Sequence, residues 1–238
     1  MWFGVITFPG SNCDRDVVYV TRDLLGHPTR RIWHEDSNLG DVDVVIVPGG
    51  FSYGDYLRCG AIAQFSPAMR ATVEHAQQGR PVLGICNGFQ VLTEVGLLPG
   101  ALVRNRDMRF ICDRTPLQIE RTDLMWTQQY VQGQTITLPV AHNEGCYYAD
   151  ANTLAQLEDN RQIVFRYCGL DNSVGEARPV DEETNVNGSL NNIAGICNRA
   201  GNVLGLMPHP ERAADAVVGS TDGMALFQSI VAAALVAA

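Results

Sequence analysis

The chain has 238 residues, enough for one α/β domain with a full core. Apolar residues make up 46% and charged residues 18%, and a net charge of −9 argues against nucleic acid, which wants a basic surface. All 17 basic residues are arginine, so the lysine-dependent chemistries, a phosphate-binding P-loop and a Schiff base, are excluded.

Residues 3–8 read as a buried strand. Pro9-Gly10-Ser11-Asn12-Cys13-Asp14 is turn chemistry, with Asn12 or Asp14 able to cap a helix. Val17, Val18, Val20, Leu24 and Leu25 then follow helical spacing, and Gly26 stops the helix. Residues 29–33 form the second strand. Residues 42–47 are an unbroken apolar run, the mark of a strand covered on both faces. Residues 66–78 are a helix with Ser66 at its cap, Pro67 in the first turn and Gly79 beyond its end. Residues 81–85 are a short strand, and a helix runs from Asn87 to about Val95. Strands alternating with helices imply right-handed crossovers and a parallel sheet.

From 102 to 142 the texture changes. Residues 110–112, 117–121 and 135–140 read as strands between polar turns, an antiparallel excursion attached to the main sheet. Residues 149–158 suit a helix and 162–167 a strand. Residues 169–192 are rich in Asn, Asp, Glu, Gly and Ser and read as a long surface loop. Residues 193–197 and 203–206 form a hairpin, and 224–236 a closing helix. The fold expected over 1–238 is therefore α/β, a single domain with a mostly parallel open sheet flanked by helices and a small antiparallel excursion.

The seven cysteines are odd in number and show no C-x-x-C pair, which weakens zinc and redox-motif readings; no metal site is expected. No apolar run reaches membrane-spanning length, and the chain starts on a strand-like run without a signal-peptide pattern. A reducing, cytoplasmic setting and no membrane partner are expected.

One stretch carries chemistry. Pro81-Val82-Leu83-Gly84-Ile85-Cys86-Asn87-Gly88-Phe89-Gln90 is strand, tight turn and helix start, with Cys86 at the corner and Gly84 and Gly88 relieving the crowding. A sulfur at a helix N-terminus favours thiolate, and the Asn87 N–H points where an oxyanion would form. The ordinary alternative is a buried structural cysteine. Pro48-Gly49-Gly50-Phe51-Ser52-Tyr53-Gly54-Asp55 leaves the carboxyl end of another parallel strand, where ligands of such sheets bind. Gly49-Gly50 allows close backbone approach to a ligand, or is only a flexible connector. Asp55, Tyr56 and Arg58 are loop braces or partner contacts.

Five histidines are available as a base. His75 reads as solvated on its helix, and His27 and His34 lie in early turns. His209 sits between Pro208 and Pro210, directly after the last strand, with Glu211 positioned to orient it. His142, followed by Asn143 and Glu144, is the rival. The stiffer loop favours His209.

Gly84-Ile85-Cys86-Asn87-Gly88-Phe89-Gln90 together with His209-Pro210-Glu211 resembles the class I, or triad, glutamine amidotransferases. Residues 8–14, 48–60 and 205–212 narrow this to a resemblance to the glutaminase subunits of phosphoribosylformylglycinamidine synthase, nearly end to end. The resemblance implies Cys86 as nucleophile, His209 as base and acid, and Glu211 as orienter. It implies backbone groups of Gly49, Gly50 and Asn87 at the substrate and oxyanion, and Gln90 beside the substrate. It also implies no cofactor in this chain, ATP and magnesium on a large synthase partner, and a small bridging subunit. The family pattern differs at Asn185-Val186-Asn187-Gly188-Ser189 and at His142-Asn143-Glu144-Gly145. Two other readings use the same residues: a stand-alone cysteine hydrolase of γ-glutamyl compounds, and a non-catalytic interaction subunit.

Overall fold

The computed structural model describes residues 1–170, 177–178 and 184–237. Its strands are β1 (Phe3–Thr7), β2 (Thr29–Trp33), β3 (Val44–Val47), β4 (Val82–Ile85), β5 (Ala101–Val103), β6 (Ile111–Ile119), β7 (Thr135–His142), β8 (Cys146–Tyr148), β9 (Ile163–Tyr167), β10 (Gly169–Leu170), β11 (Ala177–Arg178), β12 (Ile193–Cys197) and β13 (Val203–Leu206). The helices are α1 (Asp14–Val18), α2 (Pro67–Gln77), α3 (Asn87–Glu94), α4 (Ala151–Asp159) and α5 (Met224–Ala237).

Nine strands form one sheet in the order β2-β1-β3-β4-β13-β12-β9-β6-β7. The first five run parallel. From β13 onward each pairing is antiparallel, so the excursion extends the same sheet. The burial patterns follow from this placement. Every residue of β1, β3, β4, β12 and β13 is buried, as strands covered on both faces require. β7 alternates between buried and half-buried positions, as an edge strand with one face on the core does. Two small antiparallel ribbons, β5-β8 and β10-β11, complete the strands among the described residues.

The α3 helix lies unusually close to the sheet, and glycine permits it. A Cβ on Gly88 would stand 1.9 Å from the Val47 carbonyl oxygen, and one on Gly84 would stand 2.6 Å from Leu92 Cδ1. Side chains at either position would push the helix start, and Cys86 with it, off the strand ends.

Several local expectations change. The first helix has no side-chain cap, because Asn12 Oδ1 accepts the Cys13 thiol and Asp14 pairs with Arg31 at 2.7 Å. Beyond Val18 it widens into a π-helical turn over Tyr19–Leu24. There Thr21 Oγ1 bonds the Val17 and Val18 carbonyls and competes with the helical ladder. The two strands expected at 110–112 and 117–121 are one, because β7 pairs with β6 along its length and overrides the polar Asp113-Arg114 step. His75 is buried, only 4% exposed, on the inner face of α2, and burial lowers its pKa. Of the expected surface loop at 169–192, residues 171–176 and 179–183 lie outside the described residues. Its final part is not on the surface: Asn187 and Ser189 are buried, and Asn187 Nδ2 donates to the Gly145 carbonyl at 2.8 Å. Polar composition misled there because those amides satisfy buried backbone.

Candidate active site

The four adjacent strands β1, β3, β4 and β13 end on one rim of the sheet, and their carboxyl-end loops meet there. The β1 loop clamps the β3 loop: Phe51 N–H donates to the Gly10 carbonyl at 2.9 Å and Tyr53 N–H to that of Pro9 at 2.7 Å. Gly50, at φ +149°, forms a bridge with Ser11. Cys86 follows β4 with φ +51° and ψ −106°, a conformation costly for a residue with a Cβ and worth about 1–3 kcal/mol of strain. That turn carries the sulfur out of both strand and helix. Cys86 Sγ lies 3.8 Å from the Ala141 carbonyl on β7.

His209 follows β13, the immediate neighbour of β4, and its N–H donates to the Pro139 carbonyl of β7 at 2.8 Å. His209 Nδ1 lies 2.6 Å from Glu211 Oε1, and both side chains are almost wholly buried. The carboxylate accepts, so Nδ1 carries the proton and Nε2 is left for Cys86. No side-chain or backbone group hydrogen-bonds Nε2 among the described residues. Burial alone would push the His209 pKa down. The charges of Glu211 and Cys86, with the Cys13 thiol, outweigh burial and hold it well above the ordinary imidazole value. The geometry is that of a nucleophile, a base and an orienter drawn from two distant parts of the chain.

A pocket of 240 Å³ opens beside the sulfur. Gly50, Phe51, Asp55, Cys59, Gln90 and residues 141–144 line it with Cys86. Gly50 and Gln90 thus both lie on the wall of this pocket. Gln90 is also a brace: its Nε2 donates to the Glu144 carbonyl at 2.6 Å and its Oε1 accepts from Asn87 Nδ2 at 2.9 Å. The Asn87 side chain does not line the pocket, and its Oδ1 accepts the Ser52 N–H at 3.1 Å. Its own N–H is the first of α3, one of the donors a helix leaves without an internal acceptor. Gly49 stands behind the base and outside the pocket wall. A Cβ there would lie 2.8 Å from His209 Cε1, so the glycine makes room for the imidazole. A larger depression of 890 Å³, between Met1, Arg80 and Pro81, lies at the opposite ends of the strands and holds neither cysteine nor histidine.

Cys13 enters the site without a role having been assigned to it from the sequence. Cys13 is 2% exposed and sits beside His209 and Glu211, all within 4.8 Å. That spacing would suit a metal, but the Arg212 guanidinium, 3.0 Å from the Cys13 sulfur, already places a fixed cation there. His142, the rival base, is buried in the pocket wall. Burial and the nearby charge of His209 push its pKa down to about 4, so it is neutral where His209 is charged. Arg58 is a brace, paired with Glu94 at 2.6 Å. The β1 loop could have been flagged from sequence by the rule that pointed to the other strand ends. Glu144 is marked in the sequence only as the acid following His142, and Cys59 only within the 48–60 match.

A parallel sheet with a strained cysteine corner after one central strand and a His-Glu pair after the next defines a class I glutamine amidotransferase. The sequence profile of the CobB/CobQ-like glutamine amidotransferase domain matches residues 3–230. Phosphoribosylformylglycinamidine synthase subunit PurQ of Acaryochloris marina is 67% identical over 230 residues, covering 97% of this chain and 95% of that protein. PurQ of Gloeobacter violaceus is 64% identical, covering 99% of both. Among solved structures, PurLQS from Thermotoga maritima is similar at a TM-score of 0.84 and 39% identity, covering 98% of both chains. A glutamine amidotransferase from Thermotoga maritima shares the fold at a TM-score of 0.54 and 14% identity, covering 90% of this chain and 77% of that one. The chain belongs to the PurQ family of phosphoribosylformylglycinamidine synthase subunits.

Proposed function

We propose that the chain hydrolyses glutamine at Cys86 and hands the ammonia to a phosphoribosylformylglycinamidine synthase. The observation that carries this is the buried His209–Glu211 pair at 2.6 Å beside a cysteine held at φ +51° on the rim of the sheet. The Cys86 thiolate attacks the side-chain carbonyl carbon of glutamine. The resulting oxyanion rests on the backbone amides of Gly50 and Asn87, each such donor being worth roughly 3 kcal/mol. The His209 imidazolium gives its Nε2 proton to the departing nitrogen, the C–N bond breaks, and ammonia leaves. A γ-glutamyl thioester remains. Neutral His209 then takes a proton from water, the hydroxide adds to the thioester carbon, and sulfur leaves as glutamate forms. Glu211 holds the ring in the required tautomer throughout.

Ammonia is a nucleophile only while unprotonated, so release against a partner suits the chemistry better than release into water. The partner is a large ATP-using synthase chain, joined by a small bridging subunit, with ATP and magnesium held on the partner. The absence of lysine fits this division. No helix among the described residues is long and apolar enough to cross a membrane, and the site of action in this proposal is the cytoplasm.

The reconstituted complex tests the proposal. Replacing Cys86 with Ala abolishes synthesis driven by glutamine and preserves synthesis driven by added ammonium salts. Loss of both activities would show that Cys86 holds the interface or the fold instead.

A further inference from the structure

Glu211 is an acid in a difficult place. Its side chain is fully buried, Oε1 accepts the His209 Nδ1–H at 2.6 Å, and Oε2 has no hydrogen-bond partner among the described residues. While His209 is an imidazolium, the two charges offset one another. The reaction removes that balance. Once His209 has given its Nε2 proton to the departing nitrogen, a neutral ring faces a dry and half-satisfied carboxylate, which then gains by taking a proton. A protonated Glu211 is a donor instead of an acceptor. It would give its hydrogen to Nδ1, and the ring's own hydrogen would move to Nε2, the nitrogen that must next take a proton from water.

The structure sets a fixed cation behind the pair. Arg212 Nη2 donates to the Cys13 sulfur at 3.0 Å and Arg212 Nε to Asp16 Oδ2 at 3.2 Å. The Cys13 thiol gives its one hydrogen to Asn12 Oδ1 at 3.0 Å, so toward Arg212 the sulfur is an acceptor. That sulfur lies within 4.8 Å of a His209 ring nitrogen and a Glu211 carboxylate oxygen. Burial alone would lower the Arg212 pKa; the acids around it, Glu211 and Asp16 among them, outweigh burial and raise it.

A second pocket, of 340 Å³, shares no lining residue with the one beside Cys86. Asp16, Tyr19, Arg212 and Asp215 line it with Glu211. The Asp16 and Arg212 side chains are in reach of solvent, so protons come up behind the pair. The charged and titratable groups around Glu211 are thus Cys13, Asp16, Tyr19, Arg212 and Asp215 behind it, and His209 and Cys86 in front. Of these, Arg212 alone is positive at every step of the reaction.

We propose that Arg212 is a positioning residue for the second half of the reaction: held by Asp16 and Cys13, it keeps Glu211 ionised while His209 is neutral, and so keeps the lone pair of the ring on Nε2. This rests on the glutaminase reading and deepens it.

Single turnovers of the full chain in its synthase complex test this. Glutamine is added, samples are quenched in acid, and mass spectrometry of the peptide holding Cys86 follows the γ-glutamyl thioester as it forms and decays. Formation starts from the imidazolium, decay from the neutral ring. Arg212→Gln should therefore slow decay by about tenfold or more, the change that one unit in a carboxylate's pKa makes to its ionised fraction, and slow formation far less. The thioester then accumulates, and raising the pH narrows the difference from the unaltered protein. Arg212→Lys keeps a cation and should decay faster than Arg212→Gln. Unfolded material lowers the amplitude of these first-order steps and leaves their rates alone. Unchanged decay, equal slowing of both steps, equal decay in the two variants, or no thioester from Arg212→Gln overturns the proposal. Failure of the unaltered complex to release glutamate from glutamine overturns the glutaminase reading itself, a distinct result.

Discussion

Cys86 combines two demands on one residue: a sulfur must stand at the corner, and the corner needs a positive φ. Alanine at that position keeps the strain and removes the sulfur, whereas glycine removes both. Cys86→Gly is therefore expected to be more stable to urea than Cys86→Ala by about 1 kcal/mol, although glycine normally costs stability. Equal stabilities would mean that the corner is not strained. The imidazole beside it is set by two charges of one sign. Glu211 and Cys86 both favour the protonated ring, so Glu211→Gln lowers the His209 pKa and moves the alkaline limb of the pH–rate profile, where the imidazolium that protonates the leaving nitrogen is lost, to lower pH. An unmoved limb would show that Glu211 only packs against the ring.

At the scale of elements, the site depends on how close α3 approaches β3 and β4. Gly88→Ala places a methyl 1.9 Å from the Val47 carbonyl oxygen, which no rotamer relieves. The helix must retreat, taking the Asn87 N–H and the sulfur with it. Loss of glutaminase activity by 100-fold or more is expected, on the order of what a misplaced oxyanion donor and nucleophile cost together. The variant should also melt several degrees lower. A Gly88→Ala protein with full activity would show that the contact is not needed. The loops after β1 and β3 act as one unit through the Phe51 and Tyr53 backbone bonds, so the site has a rigid floor although four loops build it.

At the scale of the molecule, the parallel half of the sheet supplies the nucleophile and the base, and the antiparallel half supplies the opposite wall through β7. That wall buries a histidine in its neutral form. In the unfolded chain His142 binds a proton near pH 6.5, and in the folded protein only near about 4. Between those values the unfolded state holds more protons, so stability falls as pH drops, by at most about 3 kcal/mol from this group. His209 has the opposite sign: its folded pKa is raised, so its contribution is full below about 6.5 and fades as pH climbs through the folded value. Urea unfolding from pH 4 to 6.5 should show stability rising, and His142→Gln should flatten the rise, leaving a residue from buried His75. An unchanged slope in His142→Gln would show that the ring is not neutral when buried.

The class of fold, the cysteine corner and the Pro-His-Pro-Glu turn were legible in the sequence because each depends on local chemistry: apolar runs where both faces are covered, glycines where backbones touch, prolines where a loop must be stiff. Even the choice of His209 over His142 followed from such local cues. The acceptor-lined pocket wall was not legible. Asp55 and Cys59 come from the connection after β3, and His142 and Glu144 from the end of β7, and only the sheet order, with β7 carried round by β6 and β9, brings the two segments together. The same reason hid the burial of His75, Asn187 and Cys13: whether a polar or thiol side chain is dry depends on which distant strand end covers it, and that is a property of the packed sheet rather than of any stretch of chain.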